Sequence, residues 1–143
     1  MARFKLLSRT VFCFMELTLN IRSLKQHLKR LADPERARSS ASFFKTGPGQ
    51  YGAGDSFLGI TVPILRAACK PIQDFSLSDL DLLLLAQPNE LRLAALYLSE
   101  ARFRKADKAE KKEIYQYLKS RLQAVNNWNL VDFCAPKIIG PYH

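Results

Sequence analysis

The sequence predicts an all-α protein. Apolar residues recur at three- and four-residue spacing along most of the 143 residues, the signature of helices with one buried face. No segment shows the period-two alternation of a strand. Asn, Asp, Ser and Pro stand where helices start. The length suits one domain, and 48% hydrophobic residues supply a core.

The elements follow in order. Ile21, Leu24, Leu28 and Leu31 form one apolar stripe, with Asn20 as N-cap. Pro34 opens a second helix that runs to about Phe44. A glycine-rich connector, residues 47–55, leads to a third helix capped by Thr61, with Pro63 in its first turn and Ile64, Leu65 and Ala68 facing inward. Ser76 and Asp79 resemble a capping box ahead of Leu80–Leu85, with Asp79 and Asp81 favouring the positive end of that helix. Asn89 caps the next helix, whose Leu91, Ala94, Ala95 and Leu98 form one apolar face and Leu93, Leu96 and Tyr97 a second, so it is expected to be sandwiched. Ile114, Tyr115, Leu118 and Leu122 mark another helix, lysine-rich on its other side. Trp128 to about Ile139 is the last, bent near Pro136.

These helices are expected to pair consecutively, 20–31 with 34–45, 62–70 with 77–86 and 90–104 with 108–122. The spacing lies near the roughly 40 residues of HEAT-type repeats, but self-similarity is poor, and periodicity alone leaves a solenoid and a compact bundle both open. Residues 1–19 read as an N-terminal extension, disordered or a non-native start, with Met15 as an alternative first residue. Arg3, Lys5 and Arg9 precede the apolar run Val11–Met15, but Glu16 ends it and no cleavage site follows. The chain stops abruptly after an apolar helix, as a solenoid truncated at its C-terminus would.

The formal net charge is +9, unevenly placed: residues 1–38 carry +6, 39–100 carry −2, 101–122 carry +5, and the remainder is neutral. Two basic blocks suit a polyanion-binding surface if folding unites them, or else two solvated helix faces. No apolar run reaches the roughly 20 residues of a bilayer span. Cys13, Cys69 and Cys134 form no CxxC pair, so neither a disulfide framework nor a zinc ribbon is expected, and His27 and His143 do not complete a metal cluster. Free thiols fit a reducing cytoplasm.

The glycine-rich connector lacks the GxxxxGK[ST] pattern and follows no strand, so it is no nucleotide loop. Its bare N–H groups can approach a backbone phosphate, with Tyr51 at its middle. The most informative segment is Asn126-Asn127-Trp128-Asn129-Leu130-Val131-Asp132. Asn127 caps a helix, and Trp128 and Asp132 then share one face at i and i+4, with Leu130, Phe133 and Cys134 toward the core. Their bland reading is a half-buried Trp and a surface Asp. Their functional reading is an aromatic platform beside a carboxylate, which suits a cationic sugar-like centre.

Two stretches, Ser42–Gly52 through Phe57-Leu58-Gly59-Ile60-Thr61-Val62-Pro63-Ile64-Leu65-Arg66, and Asn126–Asp132 continuing to Ala135-Pro136 and Gly140, resemble in that order the AlkD family of DNA alkylation repair proteins. The resemblance covers about residues 20–143. It implies HEAT-like repeats in a short curved α-solenoid, here an incomplete one over residues 20–143, holding duplex DNA with alkylated bases on a concave basic face. It also implies a glycosylase that hydrolyses the N-glycosidic bond of 3-methyladenine and 7-methylguanine, with Asp132 catalytic and Trp128 its neighbour. Neither cofactor nor metal nor membrane is implied, and a monomer is expected. Asn129 stands where the family usually has Asp, and family members continue into further repeats. Lys45, Arg66, Arg102, Arg104, Lys105 and Lys108 are expected DNA contacts from charge and position, with Tyr51 in the connector. The competing class is a non-catalytic HEAT-like module that binds nucleic acid or protein; a fragment with no function of its own comes third.

Overall fold

The computed structural model describes residues 20–142 apart from Lys45 and Tyr51. The 1–19 extension and two expected DNA contacts, Lys45 and Tyr51, therefore lie outside the described residues. Helix α1 spans Ile21–Arg30, α2 Pro34–Phe43, α3 Val62–Cys69, α4 Asp81–Leu84, α5 Asn89–Lys105, α6 Lys108–Lys119 and α7 Trp128–Cys134. A 3-10 turn, Leu122–Ala124, precedes α7. The extended backbone among the described residues amounts to one isolated bridge, Ser56 to Pro88. The all-α class read from periodicity is the class observed, and it is consistent with the repeat fold that the resemblance implies. No helix among the described residues is long and apolar enough to cross a membrane.

Most starts lie where side-chain chemistry places them. Asn20 accepts from the Ser23 amide at 2.8 Å, and Asp33 accepts from the amides of Glu35 and Arg36 ahead of α2. Ser76 and Asp79 form the reciprocal box, each backbone N–H bonded to the other's side chain at 3.1 Å. That box opens a run of turns rather than a long helix, and only Asp81–Leu84 is α-helical. Asp81 stands in the first turn of α4, as expected. Its carboxylate takes the Arg121 guanidinium and the Tyr117 hydroxyl, tying α4 to the end of α6. Thr61 occupies the N-cap position of α3 without a side-chain cap bond. The N-cap of α5 is Pro88, not Asn89, because the Asn89 amide is engaged elsewhere.

Helix α5 is the hub. Leu91, Leu93, Ala94, Ala95, Leu96 and Leu98 are all buried, and α5 packs on α3, α4, α6 and α7. A helix apolar on two sides has no solvent face to keep, so it takes the centre. The expected consecutive pairing holds for α5 with α6. Helix α1 instead makes its main contacts with α3 and α4, and α2 buries no residue at all, because its sequence PERARSSASF carries no apolar stripe. Leu31, Ile64 and Leu122, expected in the core, are exposed. Leu31 and Leu122 fall just beyond the ends of α1 and α6, where the helical period that would have turned them inward has stopped. Ile64 lies on the outer side of α3, opposite buried Leu65.

After Cys134 the chain continues through a π-helical stretch, Ala135–Ile139, into a last turn at Gly140–Tyr142. Pro136 lacks an N–H, and its ring crowds the carbonyl four residues back. The helix widens there instead of breaking.

Candidate active site

Asn127 has extended backbone and its side-chain oxygen accepts from the Trp128 amide at 2.8 Å, which starts α7. From there the 3.6-residue period distributes the motif over three stripes. Leu130 and Cys134 enter the core with Ile138. Asn129 and Phe133 face a groove. Trp128 and Asp132 share the remaining, outward stripe, with Trp128 60% exposed and Asp132 exposed one turn on. Among the described residues the Asp132 carboxylate makes no hydrogen bond or ion pair. It stands free beside the groove, about 60° around the helix from Asn129 by the same period.

The groove encloses about 410 Å³. One wall is aromatic: Phe44 and Phe57 stack at 5.1 Å, 12° apart. The lining also includes Tyr97 and Phe133, in edge contact at 4.3 Å. Arg36, Ser39 and Ser40 of α2 border it, and Asn89, Glu90 and Leu93 of α5 contribute to its lining. Two cations flank the second aromatic pair. Arg66 lies 5.0 Å over the Tyr97 ring and Lys137 lies 4.1 Å over Phe133, each in the position that a ring quadrupole favours. The site thus offers flat apolar surface, a free carboxylate and positive charge at its border.

A buried polar network holds these parts together. Arg92 reaches Asp55 in an ion pair whose side chains are only 6% and 1% exposed. The same guanidinium donates to the Asn126 side chain and the carbonyls of Ala124 and Gln87. Burial pulls the Arg92 guanidinium below its ordinary value, and the Asp55 charge opposes that pull. The second Asp55 oxygen accepts from Asn89 at 2.9 Å and from Asn127 at 2.8 Å. Asn89 and Asn129 exchange reciprocal amide bonds at 3.0 and 2.6 Å. The Asn129 amide both gives and takes in this pair, which a carboxylate at that position could not do without binding a proton. Glu90, 5% exposed, accepts from the amides of Leu58, Gly59 and Ile60 at 2.7–3.2 Å. Gly59 (φ +84°) passes so close to α2 that a Cβ would lie 2.1 Å from the Asp33 carbonyl.

The structure divides the expected DNA contacts into two places. Arg66 lies over Tyr97, one of the rings that line the groove. Arg102, Arg104, Lys105 and Lys108 cluster at the far end of α5 and the start of α6, roughly 15–20 Å along α5 from Asn89–Leu93 at 1.5 Å per residue. Arg102 is engaged there by Glu110 at 2.5 Å and donates to the Phe75 carbonyl at 2.7 Å. Arg104 is 3.8 Å from Glu100. Lys105 and Lys108 are exposed. Sequence reasoning missed Lys137, Asp55, Asn89, Glu90 and Arg92. A signal existed for Glu90 and Arg92, two charges in the first turn of an otherwise apolar helix. Asp55 and Lys137 gave none.

No cluster of three or more His, Cys, Asp or Glu among the described residues is placed to hold a metal. Burial pushes the Cys69 thiol up to about 12 and raises that of Cys134, so neither is a thiolate nucleophile at neutral pH.

A family model described as DNA alkylation repair enzyme matches residues 24–143. No curated protein and no solved structure matches the chain.

Proposed function

This chain belongs to the DNA alkylation repair enzyme family, and from that premise we propose that it is a DNA glycosylase that releases cationic alkylated purines such as 3-methyladenine and 7-methylguanine from duplex DNA. One observation carries the reading: Asp132 is exposed, unpaired among the described residues and one helical turn from an exposed Trp128, beside a groove with cations at its border.

The chemistry asks little of the protein. An N-alkylated purine already bears positive charge, so it leaves with the glycosidic electron pair and becomes neutral without a general acid. The sugar left behind is an oxocarbenium-like cation. Asp132 opposes that charge and orients a water, whose oxygen bonds to the anomeric carbon and whose proton passes to solvent. An abasic site and a free base result. Trp128 lies against the sugar and limits water access. Arg66 and Lys137 meet phosphates on either side of the aromatic pair, and the distant basic set at 102–108 extends the contact along the duplex. Asp132 needs no proton of its own to begin, which suits a carboxylate in contact with solvent.

The test is release of 3-methyladenine and 7-methylguanine from methylated duplex DNA by the parent chain and by Asp132→Asn. The parent is expected to release both, and the variant to lose about 10²–10³-fold in single-turnover rate with DNA affinity retained. DNA binding without release by the parent refutes the enzyme reading and leaves a non-catalytic nucleic-acid module. Such binding would be recognised by its steep loss with salt.

A further inference from the structure

Resting on that reading of the site, we infer that Asp55 and Arg92 are positioning residues: through Asn126 and Asn127 they set the direction in which Trp128 and Asp132 project beside the groove. Neither residue reaches the outward face of α7. Their influence runs through the two asparagines that precede it. Asn127 is the joint, because its side-chain oxygen holds the Trp128 amide while its side-chain nitrogen donates to Asp55. Asn126 is held by Arg92, and Arg92 by Asp55. Asn129, in the first turn of α7, is tied to Asn89, which donates to the same Asp55 oxygen as Asn127. Three asparagine side chains around the start of α7, Asn126, Asn127 and Asn129, therefore converge on one buried ion pair.

The geometry exceeds what helix capping requires. An N-cap needs one acceptor for the first free amides, and Ser or Asp serves as well as Asn. Asp has no donor and a Ser hydroxyl ends one atom short of the Asn127 nitrogen, so it is the amide that combines capping α7 with the reach to donate to the carboxylate behind it. The sequence spends on this joint a residue whose second function is the link to Asp55. Helix α7 begins abruptly after a 3-10 turn and widens into the π-helical stretch after seven residues, so the set of its first turn depends on the side chains that hold it. A rotation of its first turn moves Asp132 and Trp128 together, and displacements near 1 Å at a reacting centre cost on the order of a hundredfold in rate.

Trp128 is the sole tryptophan of the chain, so its fluorescence reports this joint with no activity required. Asn127→Ser and Asn127→Asp both keep a good cap; Ser retains a hydroxyl but ends one atom short of Asp55, and Asp has no donor and also sets two carboxylates against each other. Expected for Asn127→Ser are an unchanged far-UV spectrum, a shifted Trp128 emission with lower anisotropy, single-turnover base release down about ten- to a hundredfold and DNA affinity within about twofold. Asn127→Asp should show a larger shift in the same direction. A cap-only role predicts both variants indistinguishable from the parent in Trp128 emission and release, and that result overturns the inference. Should Asn127→Ser fail to melt cooperatively, Asn126→Ala removes only the exposed tether to Arg92 and leaves every Asp55 contact whole; an unmoved Trp128 signal in that folded variant is equally fatal. Absence of base release by the parent would count against the glycosylase reading alone, since the fluorescence would still decide the positioning.

Discussion

Replacing Glu90 with Gln changes one atom and should cost about 2–3 kcal/mol. The Glu90 carboxylate closes the loop after the glycine-rich connector by accepting from three consecutive amides: Leu58 at 2.9 Å, Gly59 at 2.7 Å and Ile60 at 3.2 Å. Hydrogen bonds to a charged acceptor contribute about 1.5–3 kcal/mol each, and neutral ones about 0.5–1.5. The best placement of the Gln amide puts its oxygen where Oε2 stands, which keeps neutral bonds to Gly59 and Ile60. Its NH2 then stands where Oε1 accepted from the Leu58 amide, donor against donor, and Leu58 keeps only its longer 3.1 Å bond to the Oε2 position. The three bonds that remain on the Oε2 position weaken by about 1 kcal/mol each, and the bond to Oε1 is lost. Relief from burying a charge offsets part of that sum. At this chain length a loss of 2–3 kcal/mol lowers Tm by roughly 6–12 °C. Urea titration followed by far-UV circular dichroism should show a lower midpoint with an unchanged slope, and amide exchange should quicken first at Leu58, Gly59 and Ile60. A cost below about 0.5 kcal/mol, or protection of those three amides equal to the parent's, would refute the claim that Glu90 holds the loop.

Two further predictions concern the same framework. Gly59→Ala drives a Cβ to 2.1 Å from the Asp33 carbonyl and 2.7 Å from the Ala37 amide, both backbone, at a positive φ; the expected loss is about 2–4 kcal/mol from left-handed strain plus overpacking, and a melting curve within 2 °C of the parent's would show that the loop simply moves aside. The Arg121 hydrogen bond holds the Asp81 carboxyl below its ordinary value. Its stabilisation is therefore fully present above the unfolded-state value near 4 and is lost as pH falls from there through the folded value. The stability difference between parent and Asp81→Asn should be greatest near neutrality and shrink steadily below about pH 4; a difference that stays constant down to pH 3 would contradict it.

The sequence disclosed the parts of this molecule that obey local rules. Helix periodicity located α1, α3, α5, α6 and α7, because buried faces repeat every 3.6 residues whatever they pack against. The Asn20, Ser76–Asp79 and Asn127 caps were legible for the same reason, as each satisfies amides within three residues of itself. What periodicity could not reveal was which helix meets which: α1 reaches past α2 to α3 and α4, a choice made by apolar faces that find one another in space. The Trp128 and Asp132 pairing was legible from i, i+4 spacing alone. Asp55 was not. In the chain it ends a polar, glycine-rich connector, and nothing nearby marks it as a residue that will be 1% exposed.

That burial changes what the connector means. Read locally, glycines with bare amides suggest a loop free to approach a phosphate. In the fold, the Gly59 backbone lies against α2 with no room for a side chain, Leu58 to Ile60 are locked onto Glu90, and Asp55 sits beneath the Asn126–Asn127 turn. Gly59, just after the connector, and the Asp55 carboxylate serve close approach inside the protein, while a Cβ at Gly49 or Gly54 would meet open space. The same contacts tie the two stretches that carry the family resemblance to one another, although Asp55 and Asn127 are 72 residues apart. Without Asp55, Arg92 keeps a buried charge with no counterion, and Asn89 and Asn127 each lose an acceptor. Without Asn127, Asp55 loses one of its donors and α7 loses its cap. A buried charge stripped of its partner costs about 3–5 kcal/mol, a large share of the 5–15 kcal/mol that a domain has. Neither stretch can change alone at these positions without a loss of that order, so the loop, the first turn of α5 and the start of α7 behave as one structural unit. The groove that borders Asp132 is the outer surface of that unit, and its shape depends on residues that no ligand in it would touch.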